Sequence, residues 1–189
     1  MKNEHARLQR GPFLMPIWLL GTTALAGALV MIFAGWVWLT ADSTTIIVIR
    51  HAEQVRDGSK DPPLTPAGKA RAELLARLFG DARLPGHIDA IYVLPELRCR
   101  QTAASLADRL GVAPSVVSDG DPGSFARRIF REHARGRILV VGHAATVPAL
   151  IGGLSGIRGI PPIGGDEYGT MYIVTVPRIG LANLLSVSY

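Results

Sequence analysis

Thr44-Thr45-Ile46-Ile47-Val48-Ile49-Arg50-His51-Ala52-Glu53 decides the fold of this chain. Its first six residues are β-branched without a break. A short run that is apolar at consecutive positions reads as a strand covered on both faces. The run ends abruptly in a charged, titratable tetrad. In open α/β sheets ligands gather where the strands end, so the tetrad is the first candidate for chemistry.

The pattern repeats outward from this stretch. Pro62-Pro63-Leu64-Thr65-Pro66 reads as a loop that enters a helix, with Thr65 as N-cap and Pro66 in the first turn. Ala67, Ala70, Leu74 and Leu78 follow at helical spacing. Ile88–Val93 predicts a second strand, Arg98–Leu110 a helix stopped by Gly111, and Ser115–Ser118 a third strand. Asp121-Pro122 opens a helix running to about Ala134, with Asp121 read most simply as its cap. Ile138–Val141 predicts a fourth strand closed by Gly142, and Val147–Leu154 a helix. Met171–Val176 and Leu181–Val187 form a terminal strand pair around a Pro177–Gly180 turn. Strands alternating with helices predict a three-layer α/β/α domain over residues 43–189, with a mostly parallel central sheet.

Upstream the chain changes character. Its 189 residues are 19% charged, yet the mean hydropathy is positive at +0.26. The excess is local, because Gly11–Ala41 holds no charged residue. That excludes a wholly soluble chain, a multi-span transporter and a disordered protein. Phe13–Leu39 offers 27 residues, where about 20 cross a hydrocarbon core. Trp18 lies near one end and Trp36 and Trp38 near the other, about 27 Å apart along a helix, as interfacial anchors would be. The expected order is a short N-terminus at 1–12, a transmembrane helix at 13–39, then the domain. A cleaved signal peptide is the competing reading. Ala24-Leu25-Ala26 suits its cleavage site, but the apolar run continues well beyond. Lys2, Arg7 and Arg10 precede the uncharged Gly11–Ala41 stretch, and the 15 residues after it, 42–56, carry only Arg50 and Arg56 as basic residues. The positive-inside rule then leaves the N-terminus in the cytoplasm and places the domain on the extracytoplasmic, periplasmic side of the inner membrane.

The net charge of +5 is spread along the chain, with no Lys/Arg run interleaved with aromatics, which argues against nucleic acid as a partner. A single cysteine, Cys99, excludes a disulfide framework and a cysteine-based zinc site.

The first strand runs into Arg50-His51, the fourth ends at Gly142-His143, and Arg98 and Arg100 follow the second. The alternating architecture brings two histidines and one or two arginines to one rim. That set suits a phosphoryl group. Arginine presents a planar fork of donors to phosphate oxygens. A neutral imidazole nitrogen can attack phosphorus, and a second imidazole can stabilise charge on the oxygens.

Val48-Ile49-Arg50-His51-Ala52-Glu53 resembles the Arg-His-Gly/Ala-Glu signature of the histidine phosphatase superfamily, branch 1, the phosphoglycerate-mutase-like fold. Leu64-Thr65-Pro66-Ala67-Gly68 resembles its Leu-Thr-x-x-Gly helix start. Arg98-Cys99-Arg100-Gln101-Thr102-Ala103 resembles its Arg-x-x-Gln-Thr-Ala segment, and Val140-Val141-Gly142-His143 its second histidine strand. The four motifs stand in the family's order, within residues 44–187.

The resemblance implies a phosphomonoester hydrolase working through a phosphohistidine. His51 would be the nucleophile, Arg50 and Arg98 would bind phosphate, and His143 would be the second histidine of the pocket. It implies no metal or organic cofactor. The substrate would be a phosphorylated small molecule or an envelope-linked phosphoester at the membrane surface. Leu94 stands where the family usually carries serine, and Glu96 and Leu97 stand where leucine and a basic residue are common. The general acid is open among Glu96, Asp119, Asp121 and Glu167, with Glu96 on the rim itself. Two other readings compete: a non-catalytic phospho-ligand-binding domain on this scaffold, and a phosphohistidine phosphatase, whose leaving group needs little protonation.

Overall fold

A computed structural model describes residues 17–41, 43–80, 87–118 and 120–189. The chain divides into two compact units between Leu39 and Thr40.

The first contains most of α1 (Ile17–Ala41), a helix of 25 residues. It ends two residues beyond the expected Leu39, and residues 13–16 lie outside the described residues. Its Gly21–Trp38 stretch has a mean hydropathy of 1.6, and none of it is buried. It is the one helix among the described residues long and apolar enough to cross a membrane, by length and composition. A helix apolar on every face has no polar side to turn to water.

The second unit holds the predicted alternation. Its elements are β1 (Ser43–Arg50), α2 (Pro66–Gly80), β2 (Ala90–Val93), α3 (Leu97–Leu110), β3 (Ser115–Val116), α4 (Pro122–Glu132), β4 (Arg137–Gly142), α5 (Val147–Ser155), β5 (Thr170–Pro177) and β6 (Asn183–Ser188). One six-stranded sheet runs β3-β2-β4-β1-β5-β6. The pairs β1/β4, β2/β4 and β2/β3 are parallel, while β5 and β6 extend the sheet antiparallel. Strand alternation divides the core in two. Ile47, Ile49, Ile91, Val93, Leu139 and Val141 pack with Leu75 of α2 and Leu106 of α3. Ile46, Val48, Ile138 and Val140 pack with Ile129 of α4 and Ile151 of α5. These are the three predicted layers.

Four boundaries of this unit differ from the sequence reading by two residues, the first being β2, which starts at Ala90 rather than Ile88. The third strand is Ser115–Val116 rather than Ser115–Ser118, and both of its residues are exposed, so no apolar pattern fixes its length. The Asp121-capped helix stops at Glu132, where His133 leaves helical geometry, rather than near Ala134. The last strand starts at Asn183, not Leu181.

Gly68 shows why the Leu-Thr-x-x-Gly turn needs glycine. A Cβ there would collide with the carbonyl oxygen of Glu53 and lie 3.0 Å from its nitrogen. The turn is tied by Thr65 N to Glu53 O at 2.9 Å and capped by Gly68 N to Thr65 Oγ1 at 3.1 Å. Backbone cannot give way as a flexible side chain can. Gly68→Ala is therefore expected to cost about 3 kcal/mol, the upper range for overpacking. Thermal unfolding of the full chain in detergent measures it.

Candidate phosphate-binding site

The register of the sheet builds the site. Arg50 pairs with Gly142 across the β1/β4 ladder, so each strand's histidine is the next residue out. His51 N then donates to Gly142 O at 2.9 Å. The two imidazoles meet edge to face, with ring centroids 5.3 Å apart. Sequence positions 92 residues apart become neighbours.

His51 is 5% exposed. Its Nδ1 lies 2.8 Å from the Ala52 carbonyl, which can only accept, so Nδ1 carries the hydrogen. In the neutral ring Nε2 is then a bare lone pair. Burial, then the charges of His143, Arg50 and Arg98, push its pKa down to about 4, against an opposing pull from the Ala52 carbonyl. The ring is neutral at physiological pH, which is the state a nucleophile needs.

This shift couples to stability. The unfolded chain protonates His51 near 6.5 and the folded chain near 4, so the unfolded state binds the extra proton between these values. Unfolding free energy is expected to fall as pH drops from about 6.5 to about 4, by up to about 3 kcal/mol from this residue, and to be flat in this term above 6.5. Denaturant melts of wild type and His51→Asn across this range give the difference.

Arg98 and Glu96 flank His143. Arg98 Nη2 lies 3.5 Å from Nδ1 and 3.4 Å from Nε2, so the guanidinium rests against the ring rather than along either lone pair. Its Nη1 is 3.8 Å from Asp61 Oδ1, and its Nε is buried without a partner. Glu96 Oε2 lies 2.9 Å from His143 Nε2 but makes no aligned hydrogen bond. Burial works to raise the Glu96 pKa, but its own backbone N–H, His143 and Arg98 outweigh burial and hold it below the ordinary value. The carboxylate is therefore ionised at neutral pH.

Arg50 points elsewhere. Its Nη1 donates to Gly164 O at 2.8 Å and Glu167 O at 2.9 Å, and Nη2 to Gly165 O at 2.8 Å. The guanidinium carbon sits 4.0 Å from the centre of the Tyr168 ring. Nε, buried and unpartnered, and the second N–H of Nη2 remain for another ligand. The carbonyls of Gly164, Gly165 and Glu167, the Tyr168 ring and Asp61 are contributors that sequence reading missed, since Glu167 entered it only as an acid candidate. Backbone carbonyls carry no sequence signal, and neither Tyr168 nor Asp61 stands in a recognisable motif.

The remaining motif residues form the scaffold. Thr102 Oγ1 accepts from Ala52 N at 2.9 Å and donates to Arg98 O at 2.7 Å. Gln101 Oε1 accepts from Leu64 N at 2.8 Å. Arg71 grips the Glu53 carboxylate, at 2.6 Å from Nη2 and 3.0 Å from Nε, and reaches Tyr189 O at 2.9 Å. Glu53 thus belongs to a structural pair, and Arg100 is exposed on α3.

Of the four acid candidates, Glu96 alone among the described residues touches the histidine pair. Asp121 caps α4 through Gly123 N and Ser124 N. Glu167 accepts from Gly164 N and Thr170 Oγ1, bracing its own loop. Asp119 lies outside the described residues. Glu96, Cys99 and His143 offer ligand atoms within 4.8 Å of one another. Cys99 Sγ faces Nδ1 at 3.9 Å and Glu96 faces Nε2, so they approach opposite ring nitrogens, which suits a single ion poorly. An apolar cavity of about 150 Å³ lies at the same strand ends, lined by Leu94, Val117, Phe125, Ala149 and Leu150 among others.

The chemistry on offer is a bare imidazole nitrogen beside a guanidinium and a second imidazole, a cradle for a tetrahedral anion. A model of the histidine phosphatase superfamily, branch 1, matches residues 46–120. A candidate phosphoserine phosphatase 2 of Hydrogenobacter thermophilus is 36% identical over 72 residues, which is 35% of this chain and 34% of that protein, so the match spans about a third of the relative. The protein histidine phosphatase SixA complexed with tungstate aligns with a TM-score of 0.60 and 21% identity, over 76% of this chain and 96% of that one. A phosphoserine phosphatase mutant of Entamoeba histolytica, in complex with phosphoserine, aligns with a TM-score of 0.57 and 18% identity, over 75% and 94%. At these identities the likeness is one of fold.

Proposed function

We propose that this chain, whose residues 46–120 match the model of the histidine phosphatase superfamily, branch 1, is a member of that family and a phosphoric monoester hydrolase tethered to a membrane surface. The observation that carries the reading is His51, held neutral with Nδ1 on the Ala52 carbonyl and Nε2 bare beside His143 and Arg98.

In the proposed first step Nε2 attacks phosphorus in line. The N–P bond forms and the ester P–O bond breaks, leaving the electron pair on the departing oxygen. Arg98 takes the non-bridging oxygens, and Arg50 contributes its charge and its Nε. His143, oriented by the Glu96 carboxylate, delivers the proton to the leaving oxygen. Water then attacks the phosphohistidine and gives its proton back to His143 as the P–N bond breaks, so phosphate leaves and both imidazoles return to their starting state. The ionised Glu96 carries no proton to give, so protonation of the leaving oxygen rests on His143 alone. This favours leaving groups that depart readily, so phosphoramidates and acyl phosphates belong in the substrate panel beside phosphoserine.

Brief reaction with labelled phosphomonoester, an alkaline quench and peptide mapping tests the mechanism. Label on the peptide carrying His51 is expected. No turnover across the panel, with phosphate still bound, would establish the non-catalytic reading instead.

The apolar helix, exposed on all sides, supports a single-pass anchor, and the charges before it support an extracytoplasmic domain. A reporter active only in the periplasm, fused after Tyr189, is expected to be active. An active cytoplasmic reporter would reverse the orientation.

A further inference from the structure

The end of the sheet opposite the cradle carries a second arrangement that the phosphatase reading leaves unused. Ser43, first residue of β1, follows the end of α1 with only Asp42 between. Ser43 pairs with Pro177, last residue of β5, so the β5–β6 turn stands beside it. That turn places Ile179 and Leu181 in water, 57% and 93% exposed. Turn tips are ordinarily polar, and two large apolar side chains at one tip cost solvation without packing in return.

Basic groups surround the same end. Arg178 is in the turn. Arg135 sits before β4, in the left-handed region at φ 68, with its backbone N–H on Thr44 Oγ1 at 3.1 Å. Together with Ser43, Thr44, Phe130 and Val176, these two arginines line a cavity of about 530 Å³. The nearby Asp89 carboxylate accepts the Arg137 N–H at 2.7 Å. Apolar tips ringed by arginine are the chemistry of an interfacial membrane contact, in which side chains enter the headgroup layer and cations meet anionic lipid.

We propose that the β5–β6 turn, through Ile179 and Leu181, and the Arg135–Arg178 cavity dock on the anionic face of the bilayer that α1 enters. This rests on reading α1 as an anchor. Chain continuity supplies the partner, because the lipid surface is never more than a few residues from Ser43. Docked this way, the domain stands on the amino ends of its parallel strands. The cradle at the carboxyl end of the eight-residue β1 then lies about 26 Å further out, in the aqueous phase.

Hydrogen exchange of the full chain in nanodiscs tests this. Flotation with vesicles first establishes insertion. Amides of residues 178–183 are expected to exchange about tenfold more slowly in nanodiscs containing phosphatidylglycerol than in phosphatidylcholine nanodiscs or detergent. The double variant Ile179→Ser, Leu181→Ser is expected to lose that protection while still floating and still hydrolysing soluble substrate. Equal exchange in all three environments, with flotation intact, overturns the docking alone. Equal protection in detergent points to a second copy of the chain and also overturns it. Failure to float removes the anchor and the docking together.

Discussion

Replacing His51 by alanine is expected to lower phosphomonoester turnover by at least about 10⁴-fold, the scale seen when a covalent nucleophile is removed. No neighbour can take over. His143 is placed to hand a proton on rather than to attack, with Nε2 2.9 Å from the Glu96 carboxylate and Nδ1 3.9 Å from Cys99 Sγ. The variant removes label incorporation as well as turnover, which separates loss of the nucleophile from a binding defect. His51→Asn is the control, since its amide can still donate to the Ala52 carbonyl and keep the strand end in place. Turnover within tenfold of wild type in both variants would rule out a phosphohistidine at this position.

Arg98→Ala comes next in size, with an expected loss of about 10²–10³ in kcat, the range for deleting one charge-stabilising donor. Its forked donors lie against His143, and its Nε is buried with no partner until an anion arrives. Lysine is expected to restore little, because an ammonium cannot present two parallel N–H groups. Arg50→Ala makes the contrast. Its terminal nitrogens are already on the Gly164, Gly165 and Glu167 carbonyls, so its loss should loosen that loop and cost about tenfold, less than a fully committed donor. Initial rates for the three variants at saturating and limiting substrate decide the order. An Arg50 effect larger than that of Arg98 would reverse the assignment.

The parts of this molecule that follow from local pattern were readable in the sequence. β1 and β4 contain the unbroken apolar runs Ile46–Ile49 and Ile138–Val141, and a histidine follows each strand, so the rim followed from the strands. Asp121 before Pro122 announced a cap and is one. What escaped depends on tertiary contact. Arg50 stands in the signature motif, yet its terminal donors are taken by carbonyls more than a hundred residues away. Nothing in Ile163-Gly164-Gly165-Asp166-Glu167-Tyr168 marks it as a partner for an arginine. Glu96 stood out as a departure, but only the geometry shows a carboxylate against His143 rather than a free acid. Ser115-Val116 is short and exposed, which leaves periodicity nothing to register.

The pairing of Arg50 with Gly142 also sets how this site can be altered. Successive side chains on a strand point to opposite faces, so removing one residue from Thr44–Ile49 would carry the imidazole to the other side of the sheet. The domain could still assemble around a shortened β1, with its two histidines divided by a layer of backbone. Substitution can therefore tune this chemistry, whereas a one-residue change of length within β1 or β4 breaks the active pair even in a protein that folds.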